Sequence, residues 1–252
     1  QAEKGLIDVS ENANRSGFRN IRDILNLNFG NLEVRSQQTS DITGIATGYQ
    51  DLDHMTTGLH EEELIILAAR PAVGKTAFAL NIAQNIGTKL DKTVAIFSLE
   101  MGAESLVDRM LAAEGLIESH SIRTGQLTDD EWRKYAIAQG NLANASIYID
   151  DTPGITIDMI QTKALQKQKS EEGLDMIIID YLQLIKTTTS FRSRQEEVAD
   201  ISRSIKLLAK SLKVPVMVLV QLNTRNKDSQ ESKIPTKDDI RESAAIAQDS
   251  DI

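Results

Sequence analysis

Apolar residues fall in short blocks along this chain, separated by longer stretches in which they recur every three or four positions. Leu64–Ala69, Thr93–Ser98, Asp175–Asp180 and Val214–Gln221 are strand-length apolar runs, and Ser146–Asp150 is a shorter one. The spacing between them predicts helices over Lys75–Gly87, Ala103–Leu116, Thr128–Ala143, Thr156–Lys169 and Glu196–Leu212. Thr128 precedes a run of acids, a pattern that opens a helix. Strands that are apolar on both faces must be covered on both faces. Alternating strand and helix therefore predicts an α/β fold with a mostly parallel central sheet covered by helices on both faces.

Outside that alternation the pattern weakens. Residues 1 to about 20 read as an acidic-then-polar helix carrying Leu6, Ile7 and Val9, followed by Asn/Arg/Ser-rich sequence. A lone short helix cannot bury its own apolar stripe, so this one needs a partner surface, such as another subunit. The stretch "ITGIATGYQDLDHMTTGLHEEE" reads as loop-rich. The expected division is a linker helix and connector over 1–41 and a single α/β domain over 42–252. The chain stops at Asp251-Ile252, where a further apolar strand could begin, so its C-terminal end is expected to be truncated. Apolar stretches such as Val214–Val220 are strand-sized, and no membrane span is expected.

Composition adds little except by exclusion. Hydrophobic residues make up 40% and charged ones 26%, as in an ordinary globular protein. There is no cysteine, which removes disulfides and thiolate metal sites. The three histidines, His54, His60 and His120, lack metal-ligand spacing. No N-terminal targeting signal is evident, and a cytoplasmic location is expected. The net charge of -9 argues against a chain coated by nucleic acid. Yet Lys186 to Lys227 holds nine basic residues against three acidic ones, a local excess that could equally meet a polyanion or form a solvated face.

Chemistry concentrates in four places. "ARPAVGKTA", Ala69 to Ala77, joins a strand to a helix. Successive backbone N–H groups there can cradle phosphate at the positive end of the helix. Gly74 allows close backbone approach, Lys75 supplies charge to the β/γ-phosphates, and the Thr76 hydroxyl can ligate Mg²⁺. Arg70, Pro71, Ala72, Val73 and Ala77 complete the candidate nucleotide-binding set. Such loops usually begin with glycine where this one has Ala69. Alanine suffices if its φ stays negative, and Pro71 stiffens the turn. Asp180 ends a buried strand at the carboxyl edge of the sheet and can hold Mg²⁺ directly or through water. Glu100 follows the second core strand, where a carboxylate can polarise a water for attack on the γ-phosphate. It could also be an acid stabilised by a helix dipole. Gln221 ends the last strand, where an amide can sense the γ-phosphate. The long polar loop after it suits a moving or ligand-contacting element.

"ITGIATGYQDLDHMTTGL", "AARPAVGKTAFALNIAQN", "FSLEM", "IIIDYLQLI", "RQEEVADISRSIKLLAKSLKVPV" and "DIRESAAIAQDSDI" together closely resemble the C-terminal motor domain of bacterial replicative DNA helicases, the DnaB family. The resemblance spans roughly Ile42 to Ile252. It implies a RecA-like phosphate-loop core in a homo-hexameric ring, ATP and Mg²⁺ between subunits, and single-stranded DNA in the central channel, travelled with 5′–3′ polarity. It implies Glu100 as the water-activating base, Asp180 as the Mg²⁺-associated acid and Gln221 as the coupling amide. Arg109, in "DRML", matches the residue near the nucleotide base. Arg241, Glu242 and the Ala244 backbone match the DNA-contacting loop, a non-specific grip on phosphates. Aromatics are only 4%, so base stacking is not expected to dominate. Primase and a helicase loader are the implied partners, largely through regions outside this chain.

The chain departs from the family at Ala72, usually Ser, at Val220, where the family has Ser before Gln-Leu, and at Ala244-Ala245, often Gly-Ser. The family's trans-acting Lys/Arg pair would lie beyond Ile252. An arginine finger contributes about 10³–10⁵-fold in rate, so this stretch alone is expected to bind nucleotide and hydrolyse it weakly. The competing readings are another RecA-like ATPase, recombinase-related or clock-type, and a nucleotide-dependent loader or scaffold without unwinding. A small-molecule kinase is a further reading, but it would need a substrate lid, and the sequence offers no clear candidate for one.

Overall fold

The computed structural model describes residues 18–36, 41–187, 189–222 and 244–252. Contacts divide the chain into residues 1–43 and 44–252. In the first unit, helix α1 spans Ile21–Ser36 and buries none of its residues. Ile21, Leu25, Phe29 and Leu32 lie exposed along it at helical spacing. The sequence pattern put a helix in residues 1 to about 20 and irregular polar sequence after it. Residues 1–17 lie outside the described residues, 18–20 are not helical, and the helix described here is the one over 21–36. Its polar content hid an apolar stripe with little amphipathic contrast.

In the second unit, helix α2 (Gln50–Thr56) interrupts the stretch expected to be loop. Strand β1 (Leu64–Ala69) leads through the Gly74 turn into α3 (Lys75–Gln84). That helix continues as a π-helical segment over Asn85–Lys89, where regular α-helix was expected to Gly87. The widened turn lies against β3 (Ile147–Asp150). A Cβ on Gly87 would come within 2.6 Å of Ile147 Cγ1, so glycine permits the approach. The chain then runs through β2 (Val94–Ser98), α4 (Ala103–Gly115), α5 (Ser119–Thr124), α6 (Asp129–Ala143) and β3. It ends with α7 (Ile157–Gln168), β4 (Met176–Asp180), a 3₁₀ turn at Leu182–Leu184, α8 (Arg194–Leu212), β5 (Val216–Gln221) and α9 (Ala244–Asp249). The short α5 and the 3₁₀ turn were not expected from sequence, since neither is long enough to show a helical period.

The five strands form one sheet in the order β1-β5-β4-β2-β3, and every pairing is parallel. Alternate residues face opposite ways and build two cores. Ile177, Ile179, Val216 and Val218 pack with Ile160 of α7 and Val198, Ile201 and Ile205 of α8. Met176, Ile178, Met217 and Leu219 pack with Ile82 of α3 and with Leu106 and Met110 of α4. The chain end adds to the sheet edge. Asp251 N–H donates to the Leu64 carbonyl at 3.0 Å, and Ile66 N–H donates to the Ile252 carbonyl at 2.9 Å. No described helix is long and apolar enough to cross a membrane.

Candidate nucleotide site

Strand order builds this site. β1, β5, β4 and β2 are adjacent and parallel, so their carboxyl ends form a row. Register then aligns the ends closely: Ala69 pairs with Gln221, and Ser98 with Asp180. Residues spread over more than 150 positions thereby share one edge, where ligands bind in open parallel sheets.

The loop from Ala69 to Lys75 turns at that edge. Ala69 is the last residue of β1, and its carbonyl accepts from Leu222 N–H at 3.0 Å. It does not adopt a left-handed conformation, so it requires no glycine. The left-handed positions are Ala72, with φ 63°, and Gly74, with φ 102°. The loop thus places its steric demand three residues later than the alanine that stands in for the usual glycine.

A cavity of about 370 Å³ opens over this loop. It is lined by Ala69 to Ala72 and Gly74 to Ala77, and also by Glu100, Met101, Arg109 and Gln221. The structure therefore brings together most of the residues singled out for nucleotide chemistry. Val73 is not in the lining, and its side chain is exposed. Asp180 lies beneath the loop, 2% exposed. Its Oδ2 accepts from Thr76 Oγ1 at 2.6 Å, and its Oδ1 is 3.5 Å from Lys75 Nζ. Oδ1 has no hydrogen-bond partner although it is buried. A buried carboxylate oxygen without a donor next to a threonine hydroxyl is a pair of hard oxygen ligands, the donor chemistry Mg²⁺ favours.

Tyr181, which the sequence pattern did not single out, contributes as well. Lys75 Nζ lies 4.6 Å from the centre of its ring, a cation–π contact that steadies the ammonium. Burial, with the Glu100 and Asp180 carboxylates, raises the Tyr181 phenol above its ordinary range. Its position directly after Asp180, at a strand end, was the available signal. The peptide bond joining Asp180 to Tyr181 is cis. Gln183, from the 3₁₀ turn, donates through Nε2 to the Gln221 carbonyl at 3.3 Å. Arg194 at the start of α8 in turn donates to the Gln183 carbonyl at 2.6 Å.

Arg241 and Glu242 lie outside the described residues, and Ala244 is the first residue of α9. Of the basic run, Lys206 pairs with Asp251 and Arg194 with Glu197, while Arg225 and Lys227 lie outside the described residues. Among the described residues there is no cluster of three or more His, Cys, Asp or Glu that could hold a metal by protein ligands alone.

The family model for the DnaB-like helicase C terminal domain matches residues 44–252. The chain is 53% identical to replicative DNA helicase DnaC of Bacillus subtilis (strain 168), covering 100% of this chain and 55% of that protein. It is 51% identical to replicative DNA helicase DnaB of Geobacillus stearothermophilus, with the same coverage. The chain thus spans about half the length of the curated relatives it matches. Among solved structures, one described as an ATPase domain superposes with a TM-score of 0.86 at 33% identity, over 93% of this chain and 82% of that one. A DnaB-like replicative helicase, from a study of its interactions with primase, superposes with a TM-score of 0.82 at 32% identity, over 93% of this chain and 56% of that one.

Proposed function

The chain belongs to the DnaB-like helicase C-terminal domain family, with a RecA-like fold, and from that premise we propose that it is the ATP-driven motor of a replicative DNA helicase. The observation that carries this reading is the cavity uniting the phosphate loop with Glu100, Arg109 and Gln221, over the buried Asp180. Loop N–H groups and Lys75 hold the β- and γ-phosphates. Thr76 Oγ1 and Asp180 Oδ1 would hold Mg²⁺, directly or through its water. When bound, the cation offsets the charge that develops on the β- and γ-oxygens. Glu100 aligns a water with the γ-phosphorus and takes up its proton. Gln221 contacts the γ-phosphate and passes its loss to the loop after β5. Arg109 lies against the base. Arg241, Glu242 and the Ala244 backbone grip the phosphates of single-stranded DNA.

The working particle in this reading is a homo-hexameric ring in the cytoplasm that unwinds duplex DNA with 5′–3′ polarity. Primase and a helicase loader are its partners. A relative found with primase supports the first of these. Strand displacement on a forked DNA by the full-length protein tests the reading. Lys75→Ala should abolish nucleotide binding and unwinding. Glu100→Gln should keep nucleotide binding and lower turnover by about 10²–10⁴-fold. Light scattering with ATP should give six copies per particle. Unwinding that survives Lys75→Ala overturns the proposal. DNA binding that depends on nucleotide without any displacement would point to a loader or scaffold.

A further inference from the structure

Glu100 is exposed on the cavity wall, so its own packing does little to fix it. What holds it is the backbone on either side, between the end of β2 and the start of α4. Leu99 N–H donates to the Asp180 carbonyl at 2.7 Å. The Ser98 hydroxyl, 2% exposed, donates to the Met101 carbonyl at 2.6 Å and closes a turn around Glu100. The third tie comes from far along the chain. Asp151 Oδ2 accepts from Ala103 N–H at 2.9 Å, across 48 residues.

That third contact fills a specific gap. The N-cap of α4 is Gly102, which has no side chain to satisfy the first N–H groups of the helix. Asp151, the residue after β3, satisfies one of them, the Ala103 N–H. Its place follows from the sheet, because Phe97 of β2 is in register with Asp150. Asp150 is itself anchored. Burial opposes its charge, but Lys163 and Thr152 outweigh that and hold its carboxyl below the usual range. Asp151, exposed and directly after the anchored end of the edge strand, thus reaches the helix that begins three residues after Glu100.

We infer that Asp151 is a positioning residue for nucleotide hydrolysis, setting Glu100 through the N-terminus of α4, with the Ser98 hydroxyl as the second anchor. This rests on the proposed role of Glu100 as base. Asp151 touches no reacting atom. Its effect is on distance and angle, and a misplacement of about 1 Å can cost about 10²-fold in rate. α4 buries Leu106, Met110, Leu111 and Ala112 whether or not its first N–H is capped, so variants at Asp151 should fold.

The test is DNA-stimulated ATP hydrolysis by the full-length protein, with the Kd for a fluorescent ATP analogue measured alongside. Asp151→Ala should lower kcat by about 10- to 100-fold and leave that Kd within about twofold. Asp151→Asn keeps an acceptor oxygen and should recover most of the loss. Ser98→Ala should resemble Asp151→Ala. In a Glu100→Gln background, adding Asp151→Ala should change the residual turnover by less than about twofold, because the two act as one unit. Normal kcat in Asp151→Ala overturns the inference. So does an equal fold-loss in the Glu100→Gln background, or an Asp151→Asn variant as impaired as Asp151→Ala. If Glu100→Gln alone keeps full turnover, the base assignment itself is wrong, and this inference falls with it.

Discussion

Ala69, Ala72 and Gly74 divide the conformational work of the phosphate loop unequally. Ala69 sits in strand conformation and loses nothing by not being glycine. Gly74 is held at φ 102° with open space around the position of a Cβ, so the obstacle to a side chain there is backbone strain and not a clash. Gly74→Ala should therefore reduce nucleotide affinity by about 5- to 150-fold, through about 1–3 kcal/mol of strain at the loop. Ala72 already occupies the left-handed region, at a cost of about 1–2 kcal/mol. Ala72→Gly should keep nucleotide affinity and change stability by less than about 1 kcal/mol, as relieved strain offsets lost chain stiffness. Equilibrium nucleotide titration and urea unfolding check both. The motif was legible in sequence down to Gly74-Lys75-Thr76. The strain at Ala72 was not, because alanine carries no signal for a positive φ.

Among the helices, α6 is the one whose start could be read most directly. Thr128 accepts from Glu131 N–H at 3.3 Å, and the Glu131 carboxylate accepts from Thr128 N–H at 2.8 Å, a reciprocal cap. The Thr128 backbone N–H, with its hydroxyl, lowers the Glu131 pKa. A carboxylate with a lowered folded-state pKa stabilises the helix above its ordinary value of about 4.3 and loses that contribution as pH falls through the folded value. Thermal unfolding should accordingly find Glu131→Gln less stable than the parent at about pH 7, with the difference shrinking as the pH falls below about 4.3. The starts of α7 and α8 carry one-way caps, in which Thr156 accepts from Met159 N–H and Ser193 from Glu196 N–H. α4 carries no such cap, and its Ala103 N–H is satisfied by Asp151, the residue after β3. The helix over 21–36 escapes a sequence reading for a different reason, its weak contrast between faces.

In the assembled domain the sheet order matters more than any single element. Pairing β1 with β5, and β4 with both β5 and β2, aligns Ala69, Gln221, Asp180 and Glu100 along one edge. The chain end is tied into the same sheet. Asp251 Oδ2 accepts from Leu64 N–H at 2.7 Å and also takes the Lys206 ammonium. Leu64 is 1% exposed, so its N–H has no ready access to water. Asp251→Ala should destabilise the domain by about 1–3 kcal/mol by orphaning that donor, and Asp251→Asn by less, because an acceptor remains. Urea unfolding of the three proteins measures this. A loss confined to the exposed Lys206 pair would be smaller, under about 1 kcal/mol.

Local order in the chain was enough to read the strand and helix alternation, a doubly covered parallel sheet, the phosphate loop and the chemical character of Glu100, Asp180 and Gln221. Each of these depends on neighbours a few residues away: hydrophobic period, cap, turn glycine or strand-end polarity. Strand order, register and the contacts between distant segments depend on packing, which has no local signature. Tyr181 beside Lys75, the buried Asp180 oxygen without a donor, and Asp151 at the N–H of Ala103 could be found only after the sheet had brought those segments together.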